Sequence, residues 1–189
     1  FGRRATRIDT AAHSLELEGG DTLHYDRVIL VPGARVRRLP GIEAGSASHA
    51  YLRTLRDAVA LRARLKPGTR VVLLGGGVIG MEVAASARSL GCDVTVLELA
   101  PRIMARALTE TMSAHVAAYH ESRGVRLRLG SEVTGPAPDG QSGLALRDGS
   151  VVPADLVIIG IGVVPNVELA QQSGLRCQDG IVVDEYAAT

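Results

Sequence analysis

The sequence predicts a doubly wound, three-layer α/β domain with an inserted antiparallel meander. Between residues 70 and 129, short aliphatic and β-branched runs alternate with segments of helical period, as in β-α-β-α-β units. A glycine-rich turn, Gly75 to Gly80, joins the first of these strands to a helix. Between residues 132 and 152 the runs become shorter and polar turns separate them, which predicts the meander.

The first part of the chain is predicted to be a hairpin followed by a buried strand and a linker. Residues 19–21, Gly-Gly-Asp, mark the hairpin turn. The apolar run Val28 to Val31 indicates the buried strand. Residues 33–49 are rich in Gly, Pro, Arg and Ser, which is typical of a linker. The predicted strands of this part are residues 5–9, 14–17, 22–25 and 28–31.

Helices and strands alternate after the linker. Thr54 can cap the first helix, and Gly91 and Gly124 end the two helices that follow. The predicted apolar face of the first helix holds Leu55, Val59, Ala60 and Leu65. The predicted helices are residues 54–66, 78–90, 109–123 and 167–172. The predicted strands are residues 70–74, 94–97, 125–129, 132–134, 143–147, 151–152, 156–159 and 181–183, with turns at 136–140 and 148–149.

Composition argues against several kinds of function. The 189 residues carry a formal net charge of +1, so no bulk charge favours binding to nucleic acid or to a membrane. With one Phe, four Tyr and no Trp, the chain has few side chains for stacking on single-stranded nucleic acid. The apolar runs have the length of strands, so we expect no membrane-spanning segment. Cys92 and Cys177 form no Cys-x-x-Cys motif and favour a reducing compartment, the cytoplasm.

The glycine turn carries the strongest functional signal. Gly75, Gly77 and Gly80 occupy the three places of G-x-G-x-x-G between a strand and a helix, which is the context of a Rossmann-like dinucleotide site. There the first glycine allows a tight turn, the second lets backbone approach a pyrophosphate, and the third lets helix pack on strand. The N–H groups at the start of the helix face the phosphates. A glycine turn used only for packing is the alternative.

Glu98 lies 23 residues after Gly75, at the end of the next predicted strand. In dinucleotide sites a carboxylate about 20 residues after the motif holds the adenosine ribose. It favours NAD over NADP, whose 2′-phosphate would face a negative charge. Arg102, four residues further on, is the residue type that an NADP site uses, so NADP stays open. Alternatively, Glu98 is a solvated carboxylate at a strand end.

Other polar and glycine positions allow two interpretations each. Glu82 either accepts a hydrogen bond from the nicotinamide carboxamide or complements the helix dipole. The strand end from Gly160 to Asn166 either lets a ligand approach the backbone or is a simple turn. His115 and His120 lie five residues apart and do not share a helix face, so we expect no metal site. No constellation of nucleophile and base is visible, and we predict no catalytic side chain.

Several segments together resemble the NADH-binding domain of FAD-dependent pyridine nucleotide reductases. They are Val71 to Ala85, Val94 to Glu98 followed by Pro101-Arg102, and Ala154 to Asn166. The similarity is strongest to the ferredoxin reductases of bacterial oxygenase systems, which include aromatic-ring dioxygenase reductases and the putidaredoxin and rhodocoxin reductases. It extends over nearly the whole chain.

The resemblance implies roles for the matching residues. Glu98 would hold the adenosine ribose, Glu82 would orient the nicotinamide, and Gly33 would lie near the flavin. Arg102 stays a candidate cofactor residue beside Glu98. The implied pyrophosphate contacts are Gly75, Gly77, Val78, Ile79 and Gly80, and the implied nicotinamide pocket is Gly160, Ile161 and Gly162.

The family pattern is incomplete in this chain. No G-x-G-x-x-G for FAD precedes Gly75, and the family's flavin Gly-Asp motif is not reached. We therefore expect the end of an FAD domain with a linker at residues 1–49, an NAD-binding domain at 50–166 and a return segment to the FAD domain at 167–189. The chain alone is expected to lack stable FAD and turnover.

The resemblance implies an FAD-dependent NAD(P)H oxidoreductase, with NAD(H) preferred. It would pass hydride from NADH to FAD and then electrons to a [2Fe-2S] ferredoxin that serves an oxygenase. The alternatives are an NADH-dependent flavin disulfide reductase or peroxidase, a nitrite-reductase-type flavoprotein, and a nucleotide-binding module without catalysis. The sequence predicts no oligomeric state.

Overall fold

The computed structural model describes residues 1–40, 48–138 and 141–189, so the predicted linker at 33–49 and turn at 136–140 lie partly outside the described residues. No helix in these ranges is both long and apolar enough to cross a membrane. The helices are α1 (Leu55–Arg64), α2 (Val78–Ser89), α3 (Glu110–Ser122) and α4 (Glu168–Gln172). The strands are β1 (Ala5–Asp9), β2 (Ser14–Leu17), β3 (Thr22–His24), β4 (Ala34–Val36), β5 (His49–Tyr51), β6 (Arg70–Leu74), β7 (Asp93–Leu97), β8 (Arg126–Arg128), β9 (Val133–Pro136), β10 (Gly143–Leu146), β11 (Val151–Pro153), β12 (Leu156–Ile159) and β13 (Val163–Pro165).

The larger of two compact units, Val36–Gly162, is built on a five-stranded parallel sheet in the order β5-β12-β6-β7-β8. Apart from Thr95 of β7, the buried residues of its central strands are apolar on both faces. All of β12 is buried, and in β6 and β7 only the first residue is exposed. Continuous apolar strands are expected where both faces of a parallel sheet are covered. The predicted β-α-β-α-β order over residues 70–129 is confirmed.

Each face of the parallel sheet has its own apolar core, because successive side chains of a strand point to opposite faces. Val71 and Leu73 of β6 pack with apolar residues of α1, α2 and α3. Val72 and Leu74 pack instead with the antiparallel meander, whose strand order is β11-β10-β9. Helices, parallel sheet and meander therefore form three layers. Within the described residues the sheet is not doubly wound as predicted, because the meander covers the face that would carry further helices.

Local signals in the sequence set the ends of the helices. The Thr54 hydroxyl accepts a hydrogen bond from the Asp57 N–H, and the Asp57 carboxylate accepts one from the Thr54 N–H at 2.7 Å. This reciprocal pair is a capping box and begins α1. Gly91 and Gly124 follow α2 and α3 with φ values of 82° and 84°, the left-handed conformation that ends helices.

The smaller unit combines Phe1–Arg35 with Val163–Thr189. In it β1, β2 and β3 form an antiparallel sheet in that order. Asn166 joins the two segments, since its N–H donates to the Gly33 carbonyl and its side-chain amide donates to the Pro32 carbonyl. β4, whose first two residues belong to this unit, pairs with β13. The predicted domain boundaries after residues 49 and 166 stay predictions.

The predicted strand over residues 28–31 is wrong. The run has no regular structure, and Ile29 and Val31 are 86% and 83% exposed. A strand needs a neighbour for its backbone hydrogen bonds, and no described residue pairs with this run. The predicted strand at 181–183 is wrong for the same reason, because only Ile181 forms an isolated bridge, with Cys177.

Two more expectations differ from the structure. Of the predicted apolar face of α1, Leu65 is buried together with Leu61, whereas Leu55 and Val59 are exposed. Leu61 and Leu65 lie one turn apart and pack on the helix side of the parallel sheet, which fixes the orientation of α1. In addition, parts of the predicted linker and of the predicted turn after β12 pair with each other as β4 and β13.

Candidate dinucleotide site

The carboxyl ends of β6, β7 and β12 meet at one edge of the parallel sheet, beside a groove of about 660 Å³. In α/β sheets, ligands bind outside the carboxyl ends of the strands. Residues of the glycine turn, of the segment 97–107 after β7, and Gly160 and Ile161 after β12 line the groove. Residues 131–133, before and at the start of the meander, also line the groove, as do Leu39 and Leu74.

A second cavity, of about 300 Å³, is lined by residues at the opposite, amino ends of β6, β7 and β8. Arg70, Arg126 and Arg128 are among its lining residues. Arg70 is bonded to Asp155, and Arg128 donates to the hydroxyl of Ser150. The larger groove is the better candidate for a cofactor, because it contains the glycine turn and lies at the carboxyl edge of the sheet.

Two glycines of the turn are required by the fold. Gly75 has a φ of 109°, and a Cβ there would come within 2.5 Å of the Gly160 carbonyl oxygen. A Cβ on Gly80 would collide with the Gly75 carbonyl oxygen. The first glycine thus allows the turn and the close approach of β12, and the third allows α2 to pack against the turn.

Gly77 is a glycine that the fold itself does not require. Its φ is −75°, which any residue adopts, and no atom of the described residues lies within 4 Å of the place of its Cβ. Gly77 lines the groove and is the N-cap of α2, where Ser or Asp would add a hydrogen bond. A side chain here would occupy the space in front of the helix. Without a side chain at Gly77, a phosphate can approach the backbone closely.

The start of α2 presents unsatisfied donors. Among the residues that the structure describes, no side chain caps this end, and the first turn of α2 holds no acidic residue. The first N–H groups of a helix, here from Val78 onward, have no acceptor within the helix, and the dipole adds partial positive charge. Together with Gly77, these donors fit a pyrophosphate.

Glu98 lies at the end of β7, and its half-buried carboxylate faces the glycine turn. Oε2 accepts a hydrogen bond from the Gly76 N–H at 2.5 Å, and Oε1 accepts one from the Ala100 N–H at 2.8 Å. An ionised carboxylate can accept about four hydrogen bonds. Glu98 therefore has acceptor capacity left for the hydroxyls of a ribose in the groove.

The loop between Glu98 and Thr109 forms one wall of the groove and is held by its own hydrogen bonds. Arg102 donates from Nη1 to the Leu108 carbonyl at 2.8 Å and from Nη2 to the Ala105 carbonyl at 2.9 Å. The Met104 N–H donates to the Gly76 carbonyl at 2.7 Å, which ties the loop to the glycine turn. In the structure Arg102 thus contacts loop carbonyls, and its cofactor contact stays a prediction.

The other predicted site residues occupy different places. Val78, Gly160 and Ile161 line the groove with Gly75 and Gly77. Ile79 and Glu82 are exposed on α2 and do not line it, and neither do the buried Gly80 and the half-buried Gly162. Gly33 belongs to the smaller unit, with a φ of 69°. The cofactor contacts of all these residues stay predictions.

Sequence reasoning missed several residues of the groove. Met104 and Arg106 lie on the loop wall, and Ser131, Glu132 and Val133 lie where the meander begins. The Arg147 guanidinium bonded to Glu132 holds the pKa of that carboxyl below its usual range. The loop has no helical or strand period, and the Glu132 segment approaches the groove only through the fold. A single sequence held no signal for them.

The family of the chain follows from comparison with known proteins. All of residues 1–189 match the family described as pyridine nucleotide-disulphide oxidoreductase. The chain belongs to that family. Among pyridine nucleotide-disulphide oxidoreductases, it is 43% identical over its whole length to the ferredoxin–NAD(+) reductase component of the p-cumate 2,3-dioxygenase system of Pseudomonas putida, and covers 46% of that protein. It is 45% identical to rhodocoxin reductase of Rhodococcus erythropolis, again over its whole length, and covers 44% of it.

Solved structures of pyridine nucleotide-disulphide oxidoreductases share the fold. A ferredoxin reductase from Rhodopseudomonas palustris superposes with a TM-score of 0.90 at 40% identity, covering 98% of this chain and 46% of that one. Putidaredoxin reductase, in its covalent complex with putidaredoxin, gives a TM-score of 0.87 at 40% identity over 97% and 46% of the two chains. The chain thus spans about half the length of the relatives it matches.

Proposed function

We propose that this chain is the NADH-binding portion of a flavoprotein reductase, which passes hydride from NADH to FAD and then electrons to a [2Fe-2S] ferredoxin serving an oxygenase. The observation that carries the proposal is Gly77, a groove-lining glycine with ordinary φ and open space at its Cβ. The family and the names of the relatives support the class of reaction.

Different parts of the groove would bind different parts of NADH. The start of α2, from Gly77 to Ile79, would bind the pyrophosphate, with Gly75 and Gly80 shaping the turn. Glu98 would accept from the adenosine ribose with its free lone pairs. The strand end at Gly160 to Gly162 would face the nicotinamide.

Two further residues of this proposal, like Ile79, Gly80 and Gly162, lie outside the groove lining. Glu82, exposed on α2, would orient the nicotinamide carboxamide, and Gly33 would lie near the flavin. The nicotinamide and the flavin supply the redox chemistry, while the chain supplies position and charge. Hydride transfer between them needs no side-chain acid or base, so no residue of the chain is assigned a catalytic role.

The environment of Glu98 supports NADH over NADPH. Both carboxylate oxygens are held by backbone N–H groups beside the glycine turn, so the negative charge stays where a 2′-phosphate would lie. Arg102, the residue that would favour NADPH, donates from both Nη groups to carbonyls of its own loop.

The location of the protein would be the cytoplasm, which the unpaired thiols Cys92 and Cys177 favour.

The test is electron delivery by the full-length protein. With NADH, the purified flavoprotein should reduce cytochrome c quickly only when a [2Fe-2S] ferredoxin from an aromatic-ring dioxygenase system is added. Rapid reduction of a disulfide or peroxide instead would favour the alternative flavin reductases. NADH binding without bound flavin would favour a nucleotide-binding module and contradict the proposal.

A further inference from the structure

Arg106 is a charged residue of the groove that the glycine motif does not account for. It lies on the loop wall after β7 and is exposed. A Cβ built on Gly162 would lie 3.8 Å from its Nη2, so the side chain extends from the loop toward the strand end after β12. Within the described residues, no hydrogen bond or ion pair engages its guanidinium.

The neighbouring charged residues of the groove already make hydrogen bonds within the protein. Glu98 accepts two backbone N–H groups, and Glu132 is bonded to Arg147. Arg102, the other arginine of the loop, donates to the Leu108 and Ala105 carbonyls. Arg106 is therefore the cation of the loop that keeps its donors for a ligand.

Position separates Arg106 from the ribose site. Glu98 packs against Gly76, since a Cβ on Gly76 would lie 3.1 Å from the Glu98 Cβ, on the side of β7. Arg106 reaches the side of β12 instead. The glycine turn and the start of α2 lie after β6, the strand between β7 and β12 in the sheet.

We propose that Arg106 binds the cofactor pyrophosphate from the loop wall, opposite the N-terminus of α2, and that Arg102 positions the loop that carries it. This role rests on the proposed binding of NADH. The pyrophosphate is the only charged group of NADH, and a guanidinium matches phosphate oxygens in two-point hydrogen bonds. Arg106 and the helix N–H groups together hold the pyrophosphate from two sides of the groove.

The experiment measures ligand affinity in the full-length protein by calorimetry with NAD⁺ and ADP-ribose, which do not reduce the flavin, and by ligand-observed NMR with adenosine, which has no phosphate. Arg106→Gln should weaken NAD⁺ and ADP-ribose by about tenfold or more, because it removes charge-assisted hydrogen bonds. Adenosine should bind the variant as it binds the wild type. Arg62→Gln, on the exposed side of α1, removes the same charge elsewhere and should change none of the three affinities.

Several outcomes would overturn the role of Arg106. If Arg106→Gln binds NAD⁺ as tightly as the wild type and holds its normal flavin content, Arg106 does not bind the pyrophosphate. The proposed function would be unaffected by that result. An equal loss of adenosine binding would mean that Arg106 shapes the groove and does not bind phosphate. A wild-type protein that binds neither NAD⁺ nor ADP-ribose would contradict the proposed function itself.

Discussion

The Gly76 N–H donates a hydrogen bond to the Glu98 carboxylate over 2.5 Å. This bond joins the glycine turn after β6 to the end of β7, the two places where the sequence puts its dinucleotide signals. The same carboxylate also accepts the Ala100 N–H, where the loop wall begins. Glu98 therefore organises the groove in addition to its proposed contact with the ribose.

Replacing Glu98 by Gln should weaken NADH binding and reduce the preference for NADH over NADPH. The amide keeps one acceptor oxygen and puts an NH₂ group against a backbone N–H, so one of two hydrogen bonds and the negative charge are lost. We expect a loss of about tenfold in NADH affinity, measured as the KM or Kd for both nucleotides. Glu121→Gln, an exposed glutamate of α3, is the control. Wild-type NADH affinity in Glu98→Gln would refute the ribose assignment.

We expect a substitution at Gly77 to affect NAD⁺ binding and a substitution at Gly75 to affect the stability of the fold. Gly77→Val should leave the thermal midpoint close to that of the wild type, because φ is −75° and the Cβ position is open. It should abolish NAD⁺ binding by filling the space in front of α2.

Gly75→Ala should instead destabilise the protein by about 3 kcal/mol or more, since it combines a left-handed φ with a clash against the Gly160 backbone. Calorimetric melting and NAD⁺ titration of both variants give the comparison. Undiminished NAD⁺ binding in Gly77→Val would contradict the role of the turn.

The sequence was informative wherever a local rule decides the structure. The capping box of Thr54 and Asp57 and the buried runs of β6 and β12 were readable because they depend on near neighbours in the chain. The different roles of Gly75 and Gly77 could be predicted only because both residues belong to the G-x-G-x-x-G motif. The physical reason for Gly75 depends on the Gly160 backbone, which follows β12 and is distant in the sequence, whereas Gly77 is explained by its place at the start of α2.

Positions decided by tertiary partners were missed. Val28 to Val31 has the composition of a buried strand, but no described residue pairs with it. Leu55 and Val59 continue a helical period, but Leu61 and Leu65 face the sheet. Arg106 carries no sequence signal, because its place in the groove comes from the folding of an irregular loop on the glycine turn.

Asp155 and Arg70 should make stability depend on pH in the acid range. Hydrogen bonds from the Arg70 guanidinium, followed by that from its backbone N–H, lower the pKa of Asp155 to about 2. Because the pKa of Asp155 is lower in the folded protein than in the unfolded chain, ionised Asp155 stabilises the folded state at pH values above the ordinary aspartate pKa. This stabilisation is lost as the pH falls through about 2.

Asp155→Asn should lower the midpoint of thermal unfolding at pH 7 by about 2 °C, a small change because both side chains are about half exposed. The difference from wild type should shrink as the pH is lowered from 4 toward 2. Asp26→Asn, an exposed aspartate, serves as the control. A difference that stays constant from pH 7 to pH 2 would rule out this linkage.

The two cysteines should differ in reactivity. Cys92 is fully buried, its thiol donates to the Lys66 carbonyl, and burial raises its pKa. Cys177 is partly exposed. In the folded protein iodoacetamide should modify Cys177 first, and Cys92 only after unfolding, as measured by peptide mass spectrometry. Modification of Cys92 at the same rate as Cys177 would show that the interior opens readily.

The most direct test of the account is anaerobic mixing of the full-length flavoprotein with NADH or NADPH while the absorbance of oxidised flavin is followed. We expect NADH to reduce the flavin rapidly, NADPH to do so much more slowly, and Gly77→Val to lose the NADH reaction with its flavin still bound. Flavin that NADH leaves oxidised in the wild type, or that it reduces equally fast in Gly77→Val, would contradict the claim that this groove delivers NADH to FAD.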